Sequence, residues 1–374
     1  MNIRLAQQDL IDAFRLFSGL RVARPGLKKH EIPDPELAFV SLQDRLALVV
    51  NNNRFLVRII IPADGDLPDE PVITTLSRFN NAVQFLSNSS TKEMVLTTQG
   101  NWILVRAGSY VAEIERVSSC TGPDLAGIEK ATTVIHTSAR HLSDCLRFVG
   151  FVMGDVEERW LHFYSDGDRL WLFSRDRFRA ATVSISGSKA KLDTAIDGWH
   201  AKVIHDLIEK AVDHFGRMRA RLQDEGEYLT IQLEDWLGLM APKREQAFNP
   251  SWESFLTGPE VWKAMVTLSK RDVEQLVIHL SKTKANDAST LFLDSQSLVV
   301  ITSRGTIRFD TQIEWSKHAD TRMQVVVNST HLKDALRSFG GQTPVVIIGE
   351  PASPVCFVTP DRDRLFWLLA TKSK

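Results

Sequence analysis

The sequence predicts an α+β fold in which one supersecondary unit is written six times, and three observations predict it. Helix-length segments carry apolar anchors at Leu10, Phe79, Leu142, Ile204, Val273 and Leu332, spaced 69, 63, 62, 69 and 59 residues apart. A near-constant period of this kind marks a repeat architecture. Around every anchor apolar residues recur at i, i+3, i+4 and i+7. After the helices come short alternating runs broken by Asp, Asn, Gly and Ser, which is how antiparallel hairpins read.

Taken in order, the helices are carried by Leu10, Ala13, Phe14 and Phe17; Phe79, Ala82, Val83 and Leu86; and Leu142, Cys145, Leu146 and Val149. The later three are carried by Ile204, Leu207, Ile208 and Ala211; Val273, Leu276, Val277 and Leu280; and Leu332, Ala335, Leu336 and Phe339. That spacing lays one apolar stripe along each helix, so each buries one side only. Between helices, the run Leu37 to Leu42 turns at Gln43-Asp44-Arg45 into Leu46 to Val50. Equivalent turns fall at Gln99-Gly100-Asn101, Asp166-Gly167-Asp168, Glu234-Asp235 and Asp294-Ser295-Gln296. The unit is therefore a strand, a helix and a small antiparallel meander.

Alternate anchors match better than neighbours. Leu10 to Leu142 spans 132 residues, Leu142 to Val273 131, Phe79 to Ile204 125 and Ile204 to Leu332 128. One helix and three strands cannot bury a core alone, whereas two units reach the usual size of a domain. The expected division is three two-unit domains, 1–125, 126–257 and 258–374.

Composition narrows the class. With 43% hydrophobic and 24% charged residues and no apolar run near the ~18 that a bilayer span needs, the chain reads as globular, without a membrane segment. Its start lacks the basic and apolar regions of a signal peptide. Cys120, Cys145 and Cys356 are too few and too scattered for a disulfide framework, so the expected setting is the reducing cytoplasm. With a net charge of −1, a general polyanion-binding character does not follow from the total. Yet the expected helices, residues 5–18, 76–88, 138–151, 200–221, 269–284 and 329–338, hold 15 basic and 9 acidic residues. That lean suits a nucleic acid facing the helices.

These features, and stretches of text, resemble the bacterial sliding clamp, the beta subunit of DNA polymerase III. The first domain carries a strand, the Leu10 helix, Phe17-Ser18-Gly19 and Arg24-Pro25, then Leu104-Val105-Arg106-Ala107-Gly108 and an alternating strand to Val117. In the second, the run from Gly167 to Ala180 is similar to the family's strand-turn signature, and Phe248-Asn249-Pro250-Ser251-Trp252 with Phe255-Leu256 resembles the segment leading into the third. The resemblance covers nearly the whole chain. It implies three tandem clamp-fold (processivity-fold) domains and a homodimeric ring around duplex DNA, cytoplasmic and nucleoid-associated. Such a ring has no catalytic residues, metal or cofactor, and it tethers DNA polymerase, the clamp loader and other proteins through a hydrophobic peptide pocket.

From the resemblance and from charge, the expected DNA contacts are Arg24, Lys28, Lys29, Arg159, Trp160 and, on the longest helix, Lys202, Lys210, Arg217, Arg219 and Arg221. The family's peptide pocket maps onto Arg175, Asp176, Phe178, Arg179, Ala180, Pro250, Ser254, Phe255, Pro354, Val355, Leu368, Leu369, Ala370, Thr371 and Lys372. Here Phe178 replaces a smaller polar residue, Arg177 a glycine, and Leu369-Ala370-Thr371-Lys372 a Met-Pro-Met-Arg type tail. The implied dimer interface uses Tyr110, Ala112, Ile114, Ile278 and Leu280, with Ala112 where the family often has a large aromatic.

Catalytic patterns are weak. Gly187-Ser188-Lys189 lacks the upstream glycine of a phosphate loop, and His200, His205 and His214 do not share a helix face. Asp166 and Asp168 read as hairpin residues. Asn88-Ser89-Ser90 and Asn328-Ser329-Thr330 match a glycosylation pattern that means nothing without secretion, and the nine tryptophans read as core or interface. Two alternatives stand beside the ring: a clamp-fold scaffold that binds proteins without encircling DNA, and a metal-dependent hydrolase or nuclease on a repeated α+β fold.

Overall fold

A computed structural model describes residues 1–21, 34–52, 55–117, 131–153, 160–244, 262–316, 322–349 and 353–370. Among them are six α-helices: α1 Gln7–Phe17, α2 Leu76–Leu86, α3 Ala139–Met153, α4 Gly198–Phe215, α5 Lys270–Leu280 and α6 Ser329–Ser338. Each anchor sits on its helix and is buried, Val273 being the most exposed of the six at 7%. A strand runs into every helix: directly for α1 to α4 and α6, and after Leu268 and Ser269 for α5. α1 and α2 start at Ala6 and Thr75 without a side-chain cap, whereas α5 and α6 are capped. Ser269 and Asp272 form a capping box on α5. Asn328 accepts from the Thr330 and His331 amides of α6.

The chain divides into two compact units, Met1–Ser143 with Trp199–Arg244, and Asp144–Gly198 with Glu245–Lys374. The first contains a five-stranded sheet in the order Asp64–Asp66, Asn2–Ala6, Glu93–Gln99, Trp102–Ala107, Tyr110–Glu115. Its other sheet has eight strands, in the order Thr132–Ser138, Arg219–Glu225, Tyr228–Leu233, Leu237–Pro242, Phe55–Ile61, Arg45–Asn52, Glu36–Leu42, Val72–Thr75. The second unit contains nine strands in the order Lys191–Asp197, Trp160–Asp166, Arg169–Arg175, Arg179–Ser186, Arg364–Leu368, Val355–Val358, Val345–Ile348, Ala264–Thr267, Gln312–Trp315. Its four-stranded sheet runs Gly305–Asp310, Ser297–Thr302, Ala288–Leu293, Met323–Asn328. Every hairpin expected from turn chemistry is present. At Gln43 and Asp44, φ values of 50° and 58° give the paired left-handed conformation of a two-residue hairpin turn, which Asp and Asn tolerate best after glycine.

Aromatic rings bind the helix stripes to the sheets. In the first unit Phe14 of α1 stacks on Phe79 of α2 at 5.4 Å, and Phe79 meets Phe39 of the sheet at 4.9 Å. In the second, Phe148 of α3 packs edge-on against Phe339 at 5.2 Å and Phe366 at 6.3 Å. Cys145 and Cys356 are buried free thiols, and burial pushes the Cys145 thiol up to about 12. Cys120 lies outside the described residues.

The sequence overestimates the longest helix. α4 ends at Phe215, Gly216 takes a left-handed φ of 81°, and such a residue after the last turn stops a helix. Arg217 therefore lies in the connection, and Arg219 and Arg221 lie on the following strand. Lys282 and Lys284 likewise fall beyond α5. With these bounds the six described helices hold ten basic and nine acidic residues, so the expected basic lean of the helices disappears.

A buried guanidinium crosses the middle of the eight-stranded sheet. Arg58 is opposite Gly238, which is opposite Gln232, and Arg58 Nη2 donates to Gln232 Oε1 at 2.6 Å. Glycine makes the crossing possible, because a Cβ there would come within 3.2 Å of both Arg58 Nη2 and Gln232 Oε1. Glu225, also buried, is held above its usual carboxylate range by desolvation and accepts from Thr230 Oγ1 at 2.8 Å. Gly238→Ala is expected to cost roughly 1–3 kcal/mol by overpacking a site whose polar neighbours cannot swing into solvent, read as a lower midpoint in urea unfolding.

Candidate functional site

Of the basic residues expected to face DNA, Lys202 and Lys210 are exposed on α4, opposite its buried face of Ile204, Leu207, Ile208 and Ala211. Arg217 is exposed after the helix. Arg219 and Arg221 are partly neutralised: Arg219 meets Glu234 at 3.2 Å and Arg221 meets Asp235 at 2.6 Å. Trp160 opens a strand opposite Asp197 and is half-buried. Arg24, Lys28, Lys29 and Arg159 lie outside the described residues.

The expected peptide-pocket residues of the second unit gather around one turn. Asp176 accepts from the Phe178 and Arg179 amides at 2.7 Å each, and from Arg179 Nε at 2.9 Å. Arg179 Nη1 then reaches Asp334 of α6 at 2.8 Å. With only 10% of the Arg179 side chain exposed, this charged bridge holds the turn against α6. The Phe178 ring lies 5.8 Å from His331, and the Phe178 carbonyl accepts from the Leu369 amide at 2.9 Å. Phe178 is 53% and Leu369 47% exposed, whereas Ala180, Val355 and Leu368 are in the core. Arg175 is exposed, and Pro354 and Ala370 are half-buried. Pro250, Ser254, Phe255, Thr371 and Lys372 lie outside the described residues.

Each unit also presents an open sheet edge with apolar residues beside it. In the first, Tyr110 and Val111 on the edge strand are about half exposed, and Phe85 of α2 packs edge-on to Tyr110 at 6.1 Å. In the second, the edge strand Gly305–Asp310 lies beside Ile301, with Ile278 exposed on α5. Unpaired edges with exposed apolar side chains invite strand addition. Of the residues expected at an interface, Tyr110 and Ile278 are exposed and Ala112 is half-buried. Ile114 and Leu280 are buried within their own units, because alternation on the strand and the helix stripe turn them inward. Sequence reasoning missed Phe85, Val111 and Ile301.

No protein-family model matches the chain, and no curated protein matches it. Solved structures do. The DNA polymerase sliding clamp of Bacillus subtilis superposes with a TM-score of 0.79 at 12% identity, covering 100% of both chains. The corresponding clamp of Pseudomonas aeruginosa gives 0.76 at 13%, and a DNA polymerase III beta subunit of Thermotoga maritima 0.73 at 12%, each with the same full coverage.

The chain has the sliding-clamp fold.

Within that fold His200, His205 and His214 meet side chains other than one another. The His200 ring stacks on Phe55 at 5.5 Å, His205 meets Asp206 at 3.3 Å and His214 meets Asp12 at 3.0 Å. Among the described residues no group of three or more His, Cys, Asp and Glu could hold a metal ion, and no helix is long and apolar enough to cross a membrane. Asp166 is a turn residue, accepting from the Asp168 and Arg169 amides, and Ser188 bonds Ser165 at 2.7 Å.

His162 is pushed down to about 4, first by burial and then by the Arg175 charge. Its unfolded value is near 6.5, so the unfolded chain takes up the proton first as pH falls. The stabilisation is full above about pH 6.5 and is lost as pH falls from there towards about 4; His162→Gln should flatten that part of a stability-against-pH curve. Asp334→Asn should weaken the Arg179 bridge and cost about 1–2 kcal/mol, measured by thermal unfolding.

Proposed function

We propose that this chain is a DNA sliding clamp: three tandem clamp domains, 1–125, 126–257 and 258–374, whose homodimer closes head to tail around duplex DNA and tethers a polymerase, a clamp loader and other replication or repair proteins. The carrying observation is that the sliding-clamp fold extends over the full length of the chain and of the clamps it resembles. The apolar edges at Tyr110 and Val111, and at Ile278 and Ile301, suit a heterologous contact that closes into a ring. Such a ring needs sequence-independent phosphate contacts, for which Lys202, Lys210 and Arg217 are suited. It needs no chemistry, because a tether works by effective concentration. Cytoplasmic, nucleoid-associated placement follows from this role. The turn at Phe178 and Leu369 offers two exposed apolar side chains to an apolar-anchored peptide.

One observation favours the second reading, a clamp-fold scaffold that does not encircle DNA: the described helices are charge-balanced, and Arg219 and Arg221 are already paired. Solution mass separates the two. The ring requires a species of twice 42.1 kDa by light scattering, converted to monomer by Val111→Asp or by Ile278→Asp. A strict monomer at every concentration would sink the ring. Lys202→Glu combined with Lys210→Glu should reduce retention on nicked circular DNA by at least about tenfold while leaving the dimer intact, given the steep dependence on phosphate contacts.

A further inference from the structure

A cleft of about 710 Å³ opens in the first unit between the start of α1, the end of α4 and the strand Phe55–Ile61. Its floor is apolar: Ile59, Ile61, Met218 and Phe215, with Trp236 beside them. Phe215 is 40% exposed and packs edge-on against Trp236 at 4.8 Å, so two aromatic rings are presented to a ligand. The walls are acidic, with Asp9, Asp12, Asp44, Asp64 and Glu234 against Arg45 and Arg217. Asp12 is engaged by His214 and Arg15, and Glu234 by Arg219. Asp9, Asp44 and Asp64 make no ion pair with another described residue. The carbonyl end of α4 terminates at the cleft with Phe215 and adds the negative pole of its dipole.

An apolar, aromatic floor beside three unpaired carboxylates, which outnumber Arg45 and Arg217, suits an organic cation attached to an aliphatic chain. Arginine and lysine beside leucine or a similar residue have that chemistry: the stem packs on the floor, the cation lies over the rings, and the carboxylates take its protons. The volume is in the range of pockets that enclose a few side chains. We propose that this cleft is a second docking site, for a linear partner segment carrying a basic residue next to an apolar one, distinct from the turn at Phe178.

The test uses the full-length protein, a short fluorescein-labelled peptide alternating leucine and arginine, and its leucine–glutamate counterpart, read by fluorescence anisotropy without DNA. Saturable binding of the arginine peptide alone is expected, weakened about tenfold or more, or 1.4 kcal/mol, by Phe215→Ala and by Asp64→Asn combined with Asp9→Asn. Lys189→Ala, at an exposed position in the other unit, should leave it unchanged. The proposal is overturned by no binding, by equal binding of the glutamate peptide, by variants that bind as well as the parent, or by a cleft that Phe215→Ala shows to be covered by a second copy, seen as a lost dimer. Because Asp64 is exposed, its variant tests the site even where Phe215→Ala fails to fold.

Discussion

A helix that is apolar on one side and, like four of the six described here, eleven residues long or shorter has little stability of its own, and a three-stranded meander has only one face to offer it. That mutual need governs this molecule. Each strand runs into its helix at a fixed point, so the stripe lands on strands from another repeat of the same compact unit: Phe79 of α2 meets Phe39, and Phe148 of α3 meets Phe366 from more than two hundred residues away. The six helices and four sheets of the described residues follow from repeating one solution, with aromatic rings filling the layer between them.

The surface obeys looser rules. Nothing in the packing requires a helix to be basic on its open side; the described helices are near charge balance, and guanidinium groups pair locally with Glu234, Asp235, Asp176 and Asp334. Exposed pairs of this kind add little to stability. The bridge from Asp176 through Arg179 to Asp334 is different, because it is mostly sheltered and joins a turn to a helix. It places rigid scaffolding behind the exposed Phe178 and Leu369, so these two side chains are displayed on a fixed backbone.

What was legible in the sequence is what periodicity can encode. The anchors, the stripes and the turns at Gln43-Asp44 and Asp166-Gly167 are written in spacing and in residues that tolerate left-handed backbone, and all six helices were found. The end of α4 was not, because Arg217, Arg219 and Arg221 are good helix formers and the single glycine before them was outvoted by the run of charges. Site residues were harder still. Ile114 and Leu280 read as interface from resemblance, yet strand alternation and helix phase bury them, while Phe85 and Val111 reach the surface beside Tyr110 only because the edge strand and α2 lie together. Exposure of that kind is a tertiary fact with no local signature. The cleft walls, drawn from residues as far apart as Asp9 and Trp236, are equally silent in one dimension.

Gly238 carries a meaning beyond fit. Strand pairing is held by backbone bonds that are much alike at every position, so two sheets' worth of strands from distant parts of the chain, residues 55–61 and 237–242, can in principle join one step out of phase. A slip by a single residue would set a side chain under the Arg58 guanidinium and strip it of Gln232, leaving a charge stranded in a dry place, at a cost of several kcal/mol. The missing methyl is thus a keyhole: it admits only one alignment of the seam, and the arginine lying through it proofreads how the two halves of that sheet were put together.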